Sequence, residues 1–292
     1  MIRKLVTNFL PLKFMKLLLT LKHLKNNYLT LSKFAELDRK VIKNVELGDE
    51  EYKNFEEFLS TIPKENHSYV DIGAADGVNA SCTLQLAKKH KWEGTLFEYG
   101  SLANVAYIYR NFQKINMARV KVTPKNVSKL LTSYDIDKNF GFLNLDIDSY
   151  DYEVIEAILE DGFSPYIISM EINEKIPPPI EFYVYFDDNF NFVGDHFYGC
   201  SLTSATKLLL KHGYILRNLN GNNALFLNKK YFNFESQDIQ KAYSDGYLEL
   251  ENRKKVFWYN TDMEVLEKLN PEESKNFIIK KFKNYSGKYY LS

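Results

Sequence analysis

Residues 68–77 read Ser-Tyr-Val-Asp-Ile-Gly-Ala-Ala-Asp-Gly, and the fold is decided here. Ser68 to Ile72 is a short apolar run closed by Gly73, the pattern of a buried strand that ends in a turn. Small residues follow (Gly73, Ala74, Ala75, Gly77), and then a helical pattern from Asn79 to His90. Small side chains in such a turn let the backbone approach a ligand closely, and the helix start beyond favours a polar or anionic group. The dinucleotide fingerprint is GxGxxG. Here the glycines are four apart and Ala75 replaces the middle one, which argues against a cradle for pyrophosphate. Glu98 closes the next strand pattern, 21 residues beyond Gly77. An acid at that place accepts hydrogen bonds from the two hydroxyls of an adenosine ribose.

Outward from this turn, strand and helix patterns alternate. Strands are expected at 94–98, 118–122, 141–145 and 166–172, and helices at 102–113, 127–131, 152–159 and 201–212. Two further strands, 214–219 and 224–227, are joined through Asn220-Gly221, a hairpin signal. Alternation of this kind implies a parallel sheet with helices on both faces, and the terminal hairpin adds one antiparallel strand. The expected class is α/β: a Rossmann-like, seven-stranded, mostly parallel sheet with the last strand antiparallel and helical additions at both ends. The boundaries fall at 1–66 for an N-terminal helical extension, 67–230 for the nucleoside-binding domain and 231–292 for a C-terminal extension.

Asp71-x-Gly73-x-Ala75-x-Gly77 resembles motif I of class I S-adenosylmethionine-dependent methyltransferases, and the likeness covers about residues 65–230. It implies that Asp71, Gly73, Ala74, Ala75 and Gly77 line the cofactor and that Glu98 holds its ribose. Tyr99 would flank the adenine, Asn126 and Val127 would sit at its edge, and Asp146 would lie near the methionine part. Ala75 departs from the motif mildly, since Ala is small enough for the same turn. Asp146-Ile-Asp148-Ser-Tyr-Asp151-Tyr and His196-Phe-Tyr-Gly-Cys-Ser201 are similar to an FkbM-like bacterial subgroup. That likeness implies O-methylation of a sugar, a sugar nucleotide or a glycan precursor for a bacterial surface polysaccharide.

Ligands of open α/β sheets bind beyond the carboxyl ends of the strands. Strand four ends in Asp146, Asp148 and Asp151, and strand five in Glu171 and Asn173. Asp148, Glu171 and Asn173 would supply oxygen ligands for a divalent cation such as Mg²⁺, which would acidify an acceptor hydroxyl. Without a metal, Asp148 or Asp151 would act as base or orient hydroxyls, or the acids would simply cap the helix that follows. His196, in a polar and aromatic loop, is a further candidate base. Residues 174–190, rich in proline and aromatics, read as a loop over the same strand ends that either covers the substrate or packs on the domain.

The 292 residues suit one domain with appendages, and 45% hydrophobic with 26% charged residues excludes disorder as the main state. Thirty-eight basic and 38 acidic side chains cancel, so charge gives no argument for nucleic acid. Two cysteines make neither a disulfide framework nor a cysteine zinc site, and they fit a reducing, cytoplasmic compartment. No apolar run is long enough to span a bilayer, and Met15–Leu24 lacks a cleavage site. Residues 1–35 hold seven basic and no acidic side chains around helically spaced leucines and phenylalanines. Such a helix lies on an anionic membrane surface, here the inner membrane, or packs on the domain or on a second copy in a homodimer. Competing classes are a small-molecule N-methyltransferase, a nucleotide-binding dehydrogenase, and a cofactor-binding or membrane-associated protein without catalysis.

Overall fold

The strand Ser68–Ile72 (β1) lies at the centre of the main sheet of a computed structural model that describes residues 49–75, 77, 81–100, 109, 112 and 114–292. On one side β1 pairs in parallel with Glu93–Glu98 (β2), which pairs in parallel with Ile115–Arg119 (β3). On the other side it pairs in parallel with Phe142–Leu145 (β4), and β4 with Ile167–Glu171 (β5). Phe182–Val184 (β6) leaves this sheet. Tyr214–Asn220 (β7) and Asn223–Asn228 (β8) complete it in the order β3-β2-β1-β4-β5-β8-β7. β8 runs antiparallel to both of its neighbours, so the seventh strand of the sheet is the reversed one. It is inserted between β5 and β7 rather than left at an edge. This is the Rossmann-like, seven-stranded arrangement expected from the sequence.

Period-two alternation sends the two faces of the sheet into two cores. Val70 and Ile72 of β1 face a cluster with Val154, Ile155 and Ile158 of the helix Asp151–Glu160 and with Leu202, Ala205 and Leu209 of the helix Leu202–Lys211. Tyr69 of β1 faces the other side, where Phe142, Ile167 and Leu227 meet Tyr52, Phe55 and Phe58 from the segment before β1. β1 and β5 are buried along almost their whole length, as strands covered on both faces must be, whereas β3 is a half-exposed edge.

Several elements differ from the sequence reading. The first helix after the turn spans Leu84–Lys88 among the described residues, because Thr83 is held back by a hydrogen bond to Asp71. The third strand ends at Arg119, not Val122. After the Val120 N–H donates to the Glu98 carbonyl, residues 120–122 leave the sheet and border a cavity. The 174–190 loop contains β6, which pairs antiparallel with Tyr289–Leu291 (β9) near the C-terminus. Three-residue strands far apart in sequence carry too little periodicity to be read. The expected helix at 102–113 and the basic segment 1–35 lie outside the described residues, apart from 109 and 112. Among the described residues no helix is long and apolar enough to cross a membrane.

The C-terminal part is built onto the sheet. Tyr243, Tyr247 and Phe257 enter the first core, and Met263, Leu266, Ile278 and Phe282 form a third cluster with Ile176, Ile180, Phe182 and Phe197. Gly246 sits so close to β7 that an added Cβ would lie 2.0 Å from the Leu219 carbonyl oxygen, and its own carbonyl accepts from the Gly221 N–H at 2.8 Å. Gly246→Ala is therefore expected to destabilise the protein by about 1–3 kcal/mol, the usual cost of overpacking. The check is a lowered urea midpoint with an unchanged slope; an unchanged midpoint would mean that the segment is not docked as described.

Candidate functional site

Gly73 leaves β1 with φ +92°, and an added Cβ would lie 1.5 Å from the carbonyl oxygen of Asp146. The ends of β1 and β4 can meet this closely only with glycine in the turn. Ala75 follows in the left-handed region (φ +47°), and its N–H donates to Glu98 Oε2 at 2.8 Å. Glu98 Oε1 accepts from the Gly100 N–H. The carboxylate at the end of β2 is thus oriented by two backbone donors, one on each side. These residues border a cavity of about 420 Å³ at the carboxyl ends of β1, β2 and β4, of the size small-molecule sites have. Gly73, Ala75, Glu98 and Tyr99 form one part of its lining, and Asp146, Ile147, Asp148, Ser149 and Tyr150 another.

Other residues expected at the site support the turn from behind. Asp71 is buried; it accepts from Thr83 Oγ1 at 2.6 Å and from Asn144 Nδ2 at 2.9 Å. Burial pushes its pKa up while these two donors oppose the shift. Ala74 is packed into the second core and its carbonyl accepts from the Gly77 N–H at 2.8 Å. Neither residue borders the cavity, and nor does Asp71. Asn126 is a loop brace: its amide donates to the Lys121 carbonyl at 2.9 Å and its Oδ1 accepts from the Thr123 N–H at 2.8 Å. Val127 is fully buried in the first core. Both therefore stand behind the cavity wall rather than in it.

The acidic residues divide in the same way. Asp151 accepts from the N–H groups of Ile147 (2.9 Å) and Ser149 (3.0 Å) and is fully buried. Its carboxylate folds the 147–149 turn and holds Asp148 at φ +50°, so Asp151 is a shaping residue and not an available base. His196 directs Nε2 to Asp262 Oδ1 at 3.0 Å, with Lys281 on the other Asp262 oxygen, and does not border the cavity. Burial lowers its pKa against the pull of Asp262. Asn173 donates to the carbonyls of His196 (2.9 Å) and Tyr198 (3.0 Å) and so ties the loop to the end of β5.

Asp146, Asp148 and Glu171 remain together. One oxygen from each lies within 4.8 Å of the others. Glu171 Oε1 accepts from Asn222 Nδ2 at 2.6 Å, while its buried Oε2 has no partner. Burial and then the neighbouring carboxylates push Asp146 up to about 8, and Glu171 is raised strongly for the same reasons. Burial raises Asp148 also, but the Lys175 ammonium pulls it back down. Such a group can share a proton, accept one, or hold a cation.

Two parts of the site were not expected. Lys121 borders the cavity together with Val120 and Val122, and the loop expected over the strand ends reaches the cavity at Phe190 and goes on to line it with Asn191 and Phe192, beyond its expected end. Behind Asp148 lies a buried network. Lys175 Nζ donates to Glu174 Oε1 (3.0 Å) and to Tyr198 Oη (2.7 Å), and Asn260 Nδ2 donates to Glu174 Oε1 (2.6 Å). A charged pair inside a Pro-rich stretch gives no periodic signal from which its burial could be read.

No protein-family model matches the chain, and no curated protein matches it. Among solved structures, the chain is similar to the citrinin polyketide synthase CMeT domain (11% identity, 63% of this chain and 51% of that chain, TM-score 0.37). It is also similar to a SAM dependent methyltransferase from Aquifex aeolicus (12% identity, 67% and 94%, TM-score 0.33). A third is CalS10, an amino pentose methyltransferase from Micromonospora echinaspora (10% identity, 61% and 89%, TM-score 0.36). The chain thus spans about half the length of the citrinin synthase chain. Likeness at this level concerns the arrangement of strands and helices alone.

Carboxyls with raised pKa values keep protons in the folded chain at pH values where an unfolded chain has released them. Their stabilisation is full below about pH 4 and is lost as pH rises through the folded value, about 8 for Asp146. In chelator-containing buffer, stability of the native sequence is expected to fall between pH 5 and pH 8, and to fall less in Asp146→Asn. Urea midpoints at the two pH values decide this; a steeper fall in the variant contradicts the assigned shift.

Proposed function

We propose that this protein is an S-adenosylmethionine-dependent O-methyltransferase whose acceptor is a hydroxyl of a sugar, a sugar nucleotide or a glycan precursor. The observation that carries the reading is the 420 Å³ cavity, which has the braced Glu98 carboxylate at one end and the Asp146/Asp148 carboxyls at the other. The chemistry of these donors suits the cofactor. Glu98 keeps lone pairs for two ribose hydroxyls, Tyr99 offers an aromatic face, and the carboxyls complement an ammonium and a sulfonium. Bound there, S-adenosylmethionine would supply an activated methyl group.

The protein's own part is to align the acceptor oxygen and remove its proton. Asp148 borders the cavity, and the ammonium behind it favours its ionised form, so it is the residue we assign as proton acceptor. Burial and neighbouring carboxylates favour the protonated forms of Asp146 and Glu171, which makes them poorer proton acceptors. A second form of the reading rests on the convergence of Asp146, Asp148 and Glu171, three oxygens within reach of one Mg²⁺ ion. In that form Asp146 takes the place given to Asn173 in the sequence reading, and the ion would acidify the acceptor hydroxyl.

Titration calorimetry with S-adenosylhomocysteine is expected to show micromolar binding, weakened about 10- to 100-fold in Glu98→Ala by loss of charge-assisted hydrogen bonds. Tighter binding of NAD⁺ or NADP⁺ would overturn the cofactor assignment.

With nucleotide sugars as acceptors, Asp148→Asn is expected to lower kcat about a hundredfold or more, the scale of general-base catalysis, while leaving homocysteine-compound affinity nearly unchanged. Full turnover in EDTA would remove the metal-assisted form and leave the metal-free one.

A further inference from the structure

Residues 187–194 cross the mouth of the cavity, and their attachment is uneven. Both ends are fixed to the C-terminal part of the chain. At one end, Asp187 pairs with Lys288 at 2.9 Å and accepts from the Asn189 N–H at 2.9 Å. At the other, Asp195 accepts from the Tyr285 hydroxyl, and the Phe197 ring stacks on Tyr285 at 3.9 Å.

The tip is held differently. Lys121, on the far wall of the cavity, donates from Nζ to the Asp188 carbonyl at 2.7 Å and, more weakly, to the Phe190 carbonyl at 3.4 Å. Lys125 pairs with the Asp188 side chain at 3.1 Å, but both groups are 68% exposed, so water screens the pair and it adds little. Phe190 turns inward, with its ring 6.1 Å from that of Tyr150. Phe192 and Val193 stand at the rim, 38% and 65% exposed; one edge of Phe192 meets the Tyr198 ring at 5.3 Å, and Phe192 itself borders the cavity. The segment has fixed ends and one charged tether across the opening; its other contacts, Phe192 on Tyr198 and Phe190 near Phe197, are apolar and join it to its own side of the cavity, so the opening is spanned at Lys121.

We propose that residues 187–194 are a lid over the cofactor cavity, latched by Lys121 and based on the C-terminal segment around Tyr285 and Lys288. The lid opens when Lys121 releases the two carbonyls, and a bound cofactor draws Phe190 and Phe192 down onto itself. This inference rests on the cofactor reading of the cavity.

The test uses S-adenosylhomocysteine and the full chain. In the native sequence, the ligand is expected to slow backbone amide exchange across 188–193, followed by mass spectrometry. In Lys121→Met, which keeps the apolar stem, exchange there without ligand is expected to speed up about tenfold, and the ligand to dissociate about tenfold faster, the weight of one charge-assisted hydrogen bond. Lys121→Arg should restore both rates, and Lys125→Met should change neither. Binding that leaves exchange at 188–193 unaltered in the native sequence overturns the lid while sparing the cofactor assignment, and this arm needs no variant to fold. Equal dissociation from native and Lys121→Met protein overturns the latch. No binding by any of the proteins overturns the cofactor assignment itself, and the lid with it.

Discussion

The contact on which the site depends is the approach of the Gly73 backbone to the carbonyl of Asp146. It brings the ends of β1 and β4 together, and every later feature follows from that proximity. With β4 drawn against the turn, its carboxyl end points Asp146 and Asp148 into the space that the turn leaves open. The turn itself is held from below by Asp71, whose carboxylate binds Thr83 and Asn144, one partner just before the following helix and the other on β4. A buried carboxylate with both oxygens satisfied is a structural pin. Removing either donor would leave a desolvated acceptor, which costs about 1–3 kcal/mol.

That division of labour, shaping residues behind and lining residues in front, explains what was legible in the sequence. The sheet was legible because buried parallel strands are short apolar runs between small or polar turns, and β1, β2, β4 and β5 all have that form. Glu98 was legible as a cavity residue because an acid that closes a buried parallel strand stands at the sheet's carboxyl edge, where ligands of such sheets bind. The ambiguity lay in direction. Asp148 and Asp151 are three residues apart with identical chemistry, yet one faces the cavity and the other turns back to bind the Ile147 and Ser149 amides. Nothing in residue type or spacing distinguishes them; the left-handed backbone at Asp148 does. The same holds for His196, whose partner Asp262 lies 66 residues away in a segment with no strong pattern.

Distance in sequence also hid the C-terminal contribution. The β6–β9 pairing, the Tyr285 stack on Phe197 and the Asn260 bond to Glu174 all join residues 173–200 to residues 260–291. Each is a single long-range contact, and none leaves a local signature. Together they make the connection after β5 a supported structure rather than a loose loop.

Charge balance gives that support its chemical meaning. Three carboxyls converge beyond β4 and β5, and Lys175 is the cation buried behind them, its side chain only 1% exposed. A buried ammonium must be paired, and Glu174 and Tyr198 do so. Because Glu174 neutralises much of the ammonium, the acids in front feel a reduced field. The lysine opposes the rise of the Asp148 pKa, while burial and neighbouring carboxylates favour the protonated forms of Asp146 and Glu171. A uniform acidic pocket would offer no distinction between a proton carrier and a proton acceptor. The fold creates one through Lys175, whose charge opposes the rise of the Asp148 pKa, and the C-terminal segment, through Asn260, binds the Glu174 that pairs with that lysine.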